Sequence, residues 1–271
     1  MTAIQSKDNA RVRRWRKLLS DSSTRQNEGS VLLEGPHLVN DALARGTPLE
    51  AVLVRESASG DPAVNRIVRR SQVAPVILAD RVFDAMSELE SSGSIAAEIR
   101  LPKGHPDLSQ VPGCVFLERI QDPGNLGTII RSAAAFGIAC IVTDTGCADP
   151  WSGKALRAAQ GGHFHLEIGR SADIGGDMAQ FQGTVIGTVP AGGGALHEID
   201  LRGRIGWLFG SEGAGVSREM QGRCARLATV PMPGRTESLN VAAAAAICFY
   251  EASRQRAVAA GRTGKVCRYG A

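Results

Sequence analysis

The chain has 271 residues, 43% of them hydrophobic and 21% charged, and a net charge of +4. That length suits two domains, and the composition supplies enough apolar residues for ordinary packed cores, which excludes a disordered chain. The longest apolar run, Val241 to Tyr250, falls well short of the ~18 residues a membrane span needs, and MTAIQSKDNARVRRWRK lacks the apolar stretch of a secretory signal, so the expectation is a cytoplasmic protein.

From the N-terminus, Val12, Trp15, Leu18 and Leu19 recur at helical spacing, with Arg11, Arg13, Arg14, Arg16 and Lys17 mainly on the other faces. SVLLEG then reads as a strand, PHLVNDALARG as a helix closed by Gly46, and LEAVLV as a strand. VNRIVRR is helical, PVILA a strand, RVFDAMSEL a helix and SIAAEI a strand. The stretch 101–112, LPKGHPDLSQVP, holds three prolines and a glycine and has the composition of a boundary. It divides the chain into a domain over 1–104, a linker over 105–112 and a domain over 113–271.

Beyond the boundary, GCVFLER reads as a strand, and TIIRSAAAFG as a helix ended by Gly137 in a left-handed C-cap position. IACIVTD, TVIGTV, RIGWLF and LATVPM are near-continuously apolar, as strands of a parallel sheet buried on both faces are. SLNVAAAAAICFYEASRQR is an alanine-rich helix. Strands alternating with helices in both halves define an α/β fold.

Of the six cysteines, Cys114, Cys140, Cys147, Cys224, Cys248 and Cys267, none forms a CxxC pair. His163 and His165 alternate with Phe164 in what reads as a strand, without a partner at metal-ligand spacing. The expectation is buried, reduced thiols and no metal. Cations cluster at Arg11 to Lys17 and again at Arg254, Arg256, Arg262, Lys265 and Arg268. Such clusters fit a polyanionic partner or, equally, a solvated helix face.

Three glycine-containing segments follow predicted strands: ERIQDPGNLGTIIRSAAAFG, LFGSEGAGVS and VPMPGRTESLNVA. In open α/β sheets ligands bind outside the carboxyl ends of the strands, so the three can share one pocket. Gly210, Gly213 and Gly215 give G-x-x-G-x-G, the wrong order for a dinucleotide fingerprint, and no phosphate loop is present. Ser211 lies in G-S-E-G rather than a nucleophile elbow. What remains is Asn125, Arg131, Glu212, Ser238 and Asn240. Each also has a structural role open to it: a turn for Asn125, the N-cap of the last helix for Ser238, a helix-start cap for Glu212 and a surface cation for Arg131. Arg131 sits least easily there, because Ile129, Ile130, Ala133 and Ala134 make its helix otherwise apolar.

In this order and at these separations, DPGNLGTIIRSAAAFG, LFGSEGAGVS and PMPGRTESLNVAAAAAICFYEASRQR resemble the three motifs of the SpoU/TrmH family of RNA ribose 2′-O-methyltransferases, within the SPOUT superfamily. SKDNARVRRWRKLL and LLEGPHLVNDAL resemble that family's ribosomal-protein-like substrate-binding domain. The resemblance implies a parallel-sheet domain with a deep trefoil knot, S-adenosylmethionine as methyl donor, and a homodimer joined through the last helix. It places the cofactor on Thr188, Gly210, Val230, Met232 and Leu239. It assigns activation of the 2′-hydroxyl to Arg131, with Asn125, Glu212, Ser238 and Asn240 shaping the catalytic site.

The substrate it implies is structured RNA, with 23S ribosomal RNA ahead of tRNA, bound through Arg11, Arg13, Arg14 and Lys17. Two other readings stand beside it. A non-catalytic RNA-binding protein on the same fold would have no use for all five polar residues, and a nicotinamide-dependent oxidoreductase would need the fingerprint this chain lacks. Trp151 and Gln160, in DPWSGKALRAAQGGHF, are candidates for choosing the nucleotide.

Overall fold

Capped helices alternate with buried strands in the computed structural model, which describes residues 3–87, 93–102, 104–234 and 236–261. They form two units. The first contains Met1–Gly104 together with Asp149–Phe164, and the second His105–Ala148 and His165–Ala271.

In the first unit, Asn9 accepts a backbone N–H at the start of α1 (Ala10–Ser20), and Asp21 does the same for α2 (Ser22–Glu28). Then come β1 (Ser30–Glu34), α3 (Pro36–Ala44), β2 (Leu49–Arg55), α4 (Pro62–Ser71), β3 (Pro75–Leu78), α5 (Asp80–Met86) and β4 (Ile95–Arg100). The sheet runs β1-β4-β2-β3, with β4 antiparallel to both neighbours and β3 parallel to β2. The helical stripe Val12, Trp15, Leu18 and Leu19 packs with Leu32, Leu53 and Phe83 in one core. Burying each such large side chain stabilises the unit by roughly 1.5–3 kcal/mol.

The rest of the chain gives β5 (Gly113–Leu117), α6 (Pro123–Ala135), β6 (Cys140–Asp144), α7 (Gly153–Ala159), β7 (Glu167–Ser171), α8 (Ile174–Gln180), β8 (Thr184–Thr188), β9 (Gly194–Ala195), β10 (Ile205–Phe209), α9 (Arg218–Gly222), β11 (Arg226–Thr229) and α10 (Val241–Ala259). Apart from α7, these build the second unit, whose seven-stranded sheet runs β7-β6-β5-β10-β8-β11-β9 with parallel pairings throughout. β5 and β10, at its centre, are buried along their whole length, as the continuous apolar runs require.

Two expectations about domain boundaries need correcting. The stretch 105–112 is not a free linker, because Leu108 is buried with Phe116, Val142 and Leu208 in the core of the second unit. Arg204 also donates to the carbonyls of Ser109 and Val111 (2.9 and 2.7 Å). Nor does 113–271 form one body, since 149–164 belongs with the first unit.

Arg25, only 3% exposed, holds that segment: Nε and Nη2 donate to Asp149 Oδ2 at 2.8 and 2.6 Å. Its Nη1 donates to the carbonyls of Leu18 and Leu19 (2.6 and 2.7 Å), so the same cation closes the last turn of α1. Trp151 is buried with its ring 4.8 Å from that of His163. His163 and Phe164 lie in a 3₁₀ turn, not a strand; a three-residue turn is too short to show its period in sequence. Burial lowers the His163 pKa to about 4.

Cys114, Cys140, Cys147 and Cys248 are buried free thiols and Cys224 is half-buried, while Cys267 lies outside the described residues. Burial pushes Cys147 and Cys248 up to about 12. The described residues contain no group of side chains able to hold a metal ion and no helix long and apolar enough to cross a membrane.

Replacing Arg25 by leucine leaves Asp149 and two helix-end carbonyls without their donor. Urea unfolding followed by tryptophan fluorescence should show the first unit destabilised by about 3–5 kcal/mol, with Asp149→Asn milder.

Candidate active site

The site lies at the carboxyl ends of β8, β10 and β11, where each strand runs into an irregular segment. After β10 the chain turns through 210–216. Gly215 N–H donates to Ser211 O at 2.9 Å, Ala214 N–H donates to Ser211 Oγ at 3.2 Å, and Gly215 takes φ +66°. The turn is so tight that a Cβ on Gly210 would lie 2.1 Å from the backbone of Gly215 and Val216, so only glycine fits there. After β5, Asp122 caps α6 by accepting from the N–H groups of Gly124 and Asn125, with Pro123 in the first turn.

Three side chains from distant parts of the sequence lock these pieces together. Asn240 Nδ2 donates to Asn125 Oδ1 at 2.9 Å, and Asn125 Nδ2 donates to Glu212 Oε1 at 2.9 Å. Asn240 also accepts from the N–H groups of Ala242 and Ala243 (2.9 and 3.3 Å), so it starts α10 with the same amide. The N–H groups of Gln121 and Asp122 both point at Glu212, each at 3.4 Å. Partial burial pushes the Glu212 carboxyl upward. The bond from Asn125 and the surrounding N–H groups outweigh that and hold it below the ordinary glutamate value.

Beside this junction lies a cavity of about 520 Å³, within the size range of small-molecule sites. Thr188, Gly210, Val230, Met232 and Leu239, the five expected cofactor residues, all line it, as do Glu212, Ser238 and Asn240. Apolar surface comes from Phe209, Val230, Met232 and Ala244. Among the described lining residues are two carboxylates, Glu212 and Glu237, and no lysine or arginine. Such a lining suits a neutral or cationic ligand with an apolar body and is unsuited to a polyphosphate.

Asn125 is outside the cavity wall but bonded to two of its residues. Arg131 is also outside the lining, exposed on α6, with no hydrogen-bond or ion-pair partner among the described residues. Ser238 is not the cap of the last helix: the N-cap lies two residues later, at Asn240. Pro190, Gln221 and Ala244 also line the cavity. Ala244 belongs to the third motif segment, while no sequence pattern points to Pro190 or Gln221.

On α1, Arg11, Arg13, Arg16 and Lys17 are exposed, and the Arg11 guanidinium lies 4.8 Å from the Trp15 ring. Arg14 is committed elsewhere, to Glu28 (2.6 Å) and to Glu98, which two of its nitrogens reach at 2.9 and 2.7 Å. Glu98 is buried and also accepts from Trp15 Nε1 at 2.9 Å, so Arg14 neutralises a core carboxylate rather than facing solvent freely. Of the second basic cluster, Arg254 pairs with Glu251 at 2.7 Å, and Arg262, Lys265 and Arg268 lie outside the described residues.

The chain thus combines a parallel α/β domain carrying a ligand cavity at its strand ends with a small basic α/β unit. The chain belongs to the SpoU rRNA Methylase family, whose profile matches residues 112–250. Residues 9–97 match the MRM3-like substrate binding domain. The chain is 34% identical to the 23S rRNA (guanosine(2553)-2′-O)-methyltransferase RlmP of Bacillus subtilis, over 92% of this chain and 98% of the relative. It is 30% identical to the 23S rRNA (uridine(2479)-2′-O)-methyltransferase of Streptomyces viridochromogenes, over 94% and 92%. Among solved structures, the SpoU methyltransferase AviRb of Streptomyces viridochromogenes in complex with AdoMet superposes with a TM-score of 0.84 at 28% identity, covering 92% of this chain and 98% of that one.

Glu212 has a lowered folded pKa, so its contribution to stability is complete above the unfolded value of about 4.3 and is lost as the pH falls through the folded one. Glu212→Gln should cost about 0.5–1.5 kcal/mol at neutral pH. In thermal melts from about pH 7 down to about pH 3.5, the gap between wild type and variant should close as Glu212 is protonated. A gap constant across that range would show that the carboxylate charge is not what orders the junction.

Proposed function

We propose that this protein transfers the methyl group of S-adenosylmethionine to a ribose 2′-hydroxyl of 23S ribosomal RNA. The observation that carries the reading is one cavity built by the second and third motif segments and tied to the first through Asn125, with a carboxylate-bearing lining free of cations among the described residues. S-adenosylmethionine, when bound, supplies a methyl group on a positively charged sulfur. Val230, Met232 and Leu239 would hold its apolar part, Thr188 and Gly210 would offer backbone groups, and the carboxylates of Glu212 and Glu237 suit its positive charge. The names of the two sequence relatives place their reactions on guanosine in one and uridine in the other, at the 2′-oxygen in both. The chemistry common to them is therefore at the ribose, and the base is chosen outside the reacting centre.

The acceptor oxygen has to be held about 3 Å from the methyl carbon and has to lose its proton. A guanidinium remains protonated at any physiological pH, so Arg131 is not the base. In this reading it steadies the developing alkoxide or the neighbouring phosphate as a cation, with Glu212, Ser238 and Asn240 in the cavity wall and Asn125 bonded behind it shaping the site. Its exposure without a partner among the described residues supports this role.

The reading extends to a homodimer through α10, whose Ile247, Tyr250 and Val258 are large apolar side chains left 39%, 57% and 50% exposed. It includes the trefoil knot that the family resemblance implies, and action in the cytoplasm.

Purified protein incubated with S-adenosylmethionine labelled in the methyl group and a 23S rRNA transcript should yield label as a 2′-O-methyl nucleoside. Label in neither 23S rRNA nor tRNA would end the reading, and label in tRNA alone would move it to the other substrate. Arg131→Lys should cut turnover by about 10² or more while calorimetry shows cofactor affinity nearly unchanged. Near-normal turnover would remove the guanidinium geometry from the mechanism.

On the first unit, neutralising Arg13, Arg16 and Lys17 together, and leaving Arg14 in place, should weaken RNA binding. The slope of log affinity against log salt should fall by about 0.7–0.9 for each phosphate that is no longer neutralised. An unchanged slope would take this helix out of the RNA interface.

A further inference from the structure

Arg119 follows β5 and stands three residues before the N-cap of α6. It has φ +54°, and it is the one non-glycine residue of the second unit with positive φ among the described residues. A side chain bearing a Cβ is disfavoured in that conformation, and glycine would adopt it freely. Three successive N–H groups are engaged around it. Glu118 N–H donates to Phe209 O at 2.9 Å, Arg119 N–H donates to Asp144 Oδ1 at 3.0 Å, and Ile120 N–H donates to Cys147 Sγ at 3.3 Å. An arginine kept where glycine is the easier residue points to use of its side chain.

The side chain is directed over the turn that follows β6. A Cβ on Gly146 would lie 2.8 Å from Arg119 Cγ, so the arginine stem occupies the space that a side chain on that turn would need. The same turn is gripped from the other side, where Arg170 on the edge strand β7 donates from Nη2 to Thr145 O at 2.9 Å. Arg170 is exposed, and the Arg119 side chain is 47% exposed.

Two carboxylates are near. Glu118 is buried, accepts from Ser217 N–H at 2.8 Å, and reaches Arg119 Nη2 only at 3.6 Å. Asp144 uses one oxygen on the N–H groups of Arg119 and Gly146, both at 3.0 Å. Neither satisfies the guanidinium fork of Arg119. Resting on the RNA-methylating reading above, we infer that Arg119 and Arg170, set on either side of the 144–147 turn, form a phosphate-binding pair for the backbone of the substrate RNA, on the sheet rim outside the cofactor cavity.

The test uses Arg119→Gly, which suits the existing φ and should melt no lower than wild type, together with Arg170→Gln and the double variant. Binding of a 23S rRNA transcript is measured against salt, in parallel with S-adenosylmethionine calorimetry. The expected result is RNA affinity down about tenfold at low salt in the double variant and a salt slope reduced by about 0.7–0.9 per arginine, with cofactor affinity unchanged. Arg119→Lys should recover part of the loss, since it keeps the charge without the fork. RNA affinity and slope equal to wild type in the folded double variant would overturn the inference. Because binding is read without turnover, a protein that methylates no RNA would sink the reading above and leave this measurement still decisive.

Discussion

One chain of hydrogen bonds carries the site: Asn240 to Asn125 to Glu212. It runs in a single direction, and the charge at its end sets that direction. An ionised Glu212 can only accept, so Asn125 must turn its amide nitrogen toward it and offer its oxygen to Asn240. Asn240 must then present its nitrogen to Asn125, which leaves its oxygen facing the N–H groups that begin α10. The start of the last helix, the start of α6 and the loop after β10 are thus fixed by one carboxylate. The low carboxyl pKa follows from the same arrangement, since every donor around Glu212 favours the charged form.

This constraint explains why the cavity can be lined so largely by backbone and apolar groups and still hold a defined shape. Gly210 permits the tight approach of Gly215 and Val216, and the junction keeps that turn, Val230, Met232 and 237–240 bordering the same cavity. The parallel sheet contributes rigidity beneath it, with β5 and β10 buried along their full length. Arg131, the one residue asked to act on the substrate, rides on α6, whose start is fixed by Asp122 and whose buried face is Leu126, Ile129, Ile130 and Ala133. A cation on a short, well-packed helix is held more firmly than one on a loop.

Much of this was legible in the residues. The apolar runs named the central strands because strands buried on both faces leave no polar alternation to misread. Gly46 and Gly137 marked helix ends, and both take positive φ. The expected cofactor residues share one cavity, because residues at strand ends are brought together by the sheet itself. What escaped was whatever depends on distant partners. α7 and α8, of seven residues each, and α9, of five, hold too few large apolar residues for a period to show. The membership of 149–164 in the first unit comes from contacts such as Arg25 with Asp149, 124 positions away, and nothing local announces it. Arg14 looked like one more exposed cation until Glu98 appeared beneath it. The cap of α10 was misplaced by two residues because serine and asparagine are comparable caps, and only the second reaches Asn125.

The most direct test of the central claim, that this cavity serves methyl transfer to an RNA ribose, is a map of 2′-O-methyl positions in total RNA from cells with and without the gene. The account predicts a site in 23S rRNA that disappears with the gene, returns with the wild-type chain and stays absent with Arg131→Lys. An identical map in all three backgrounds would contradict it.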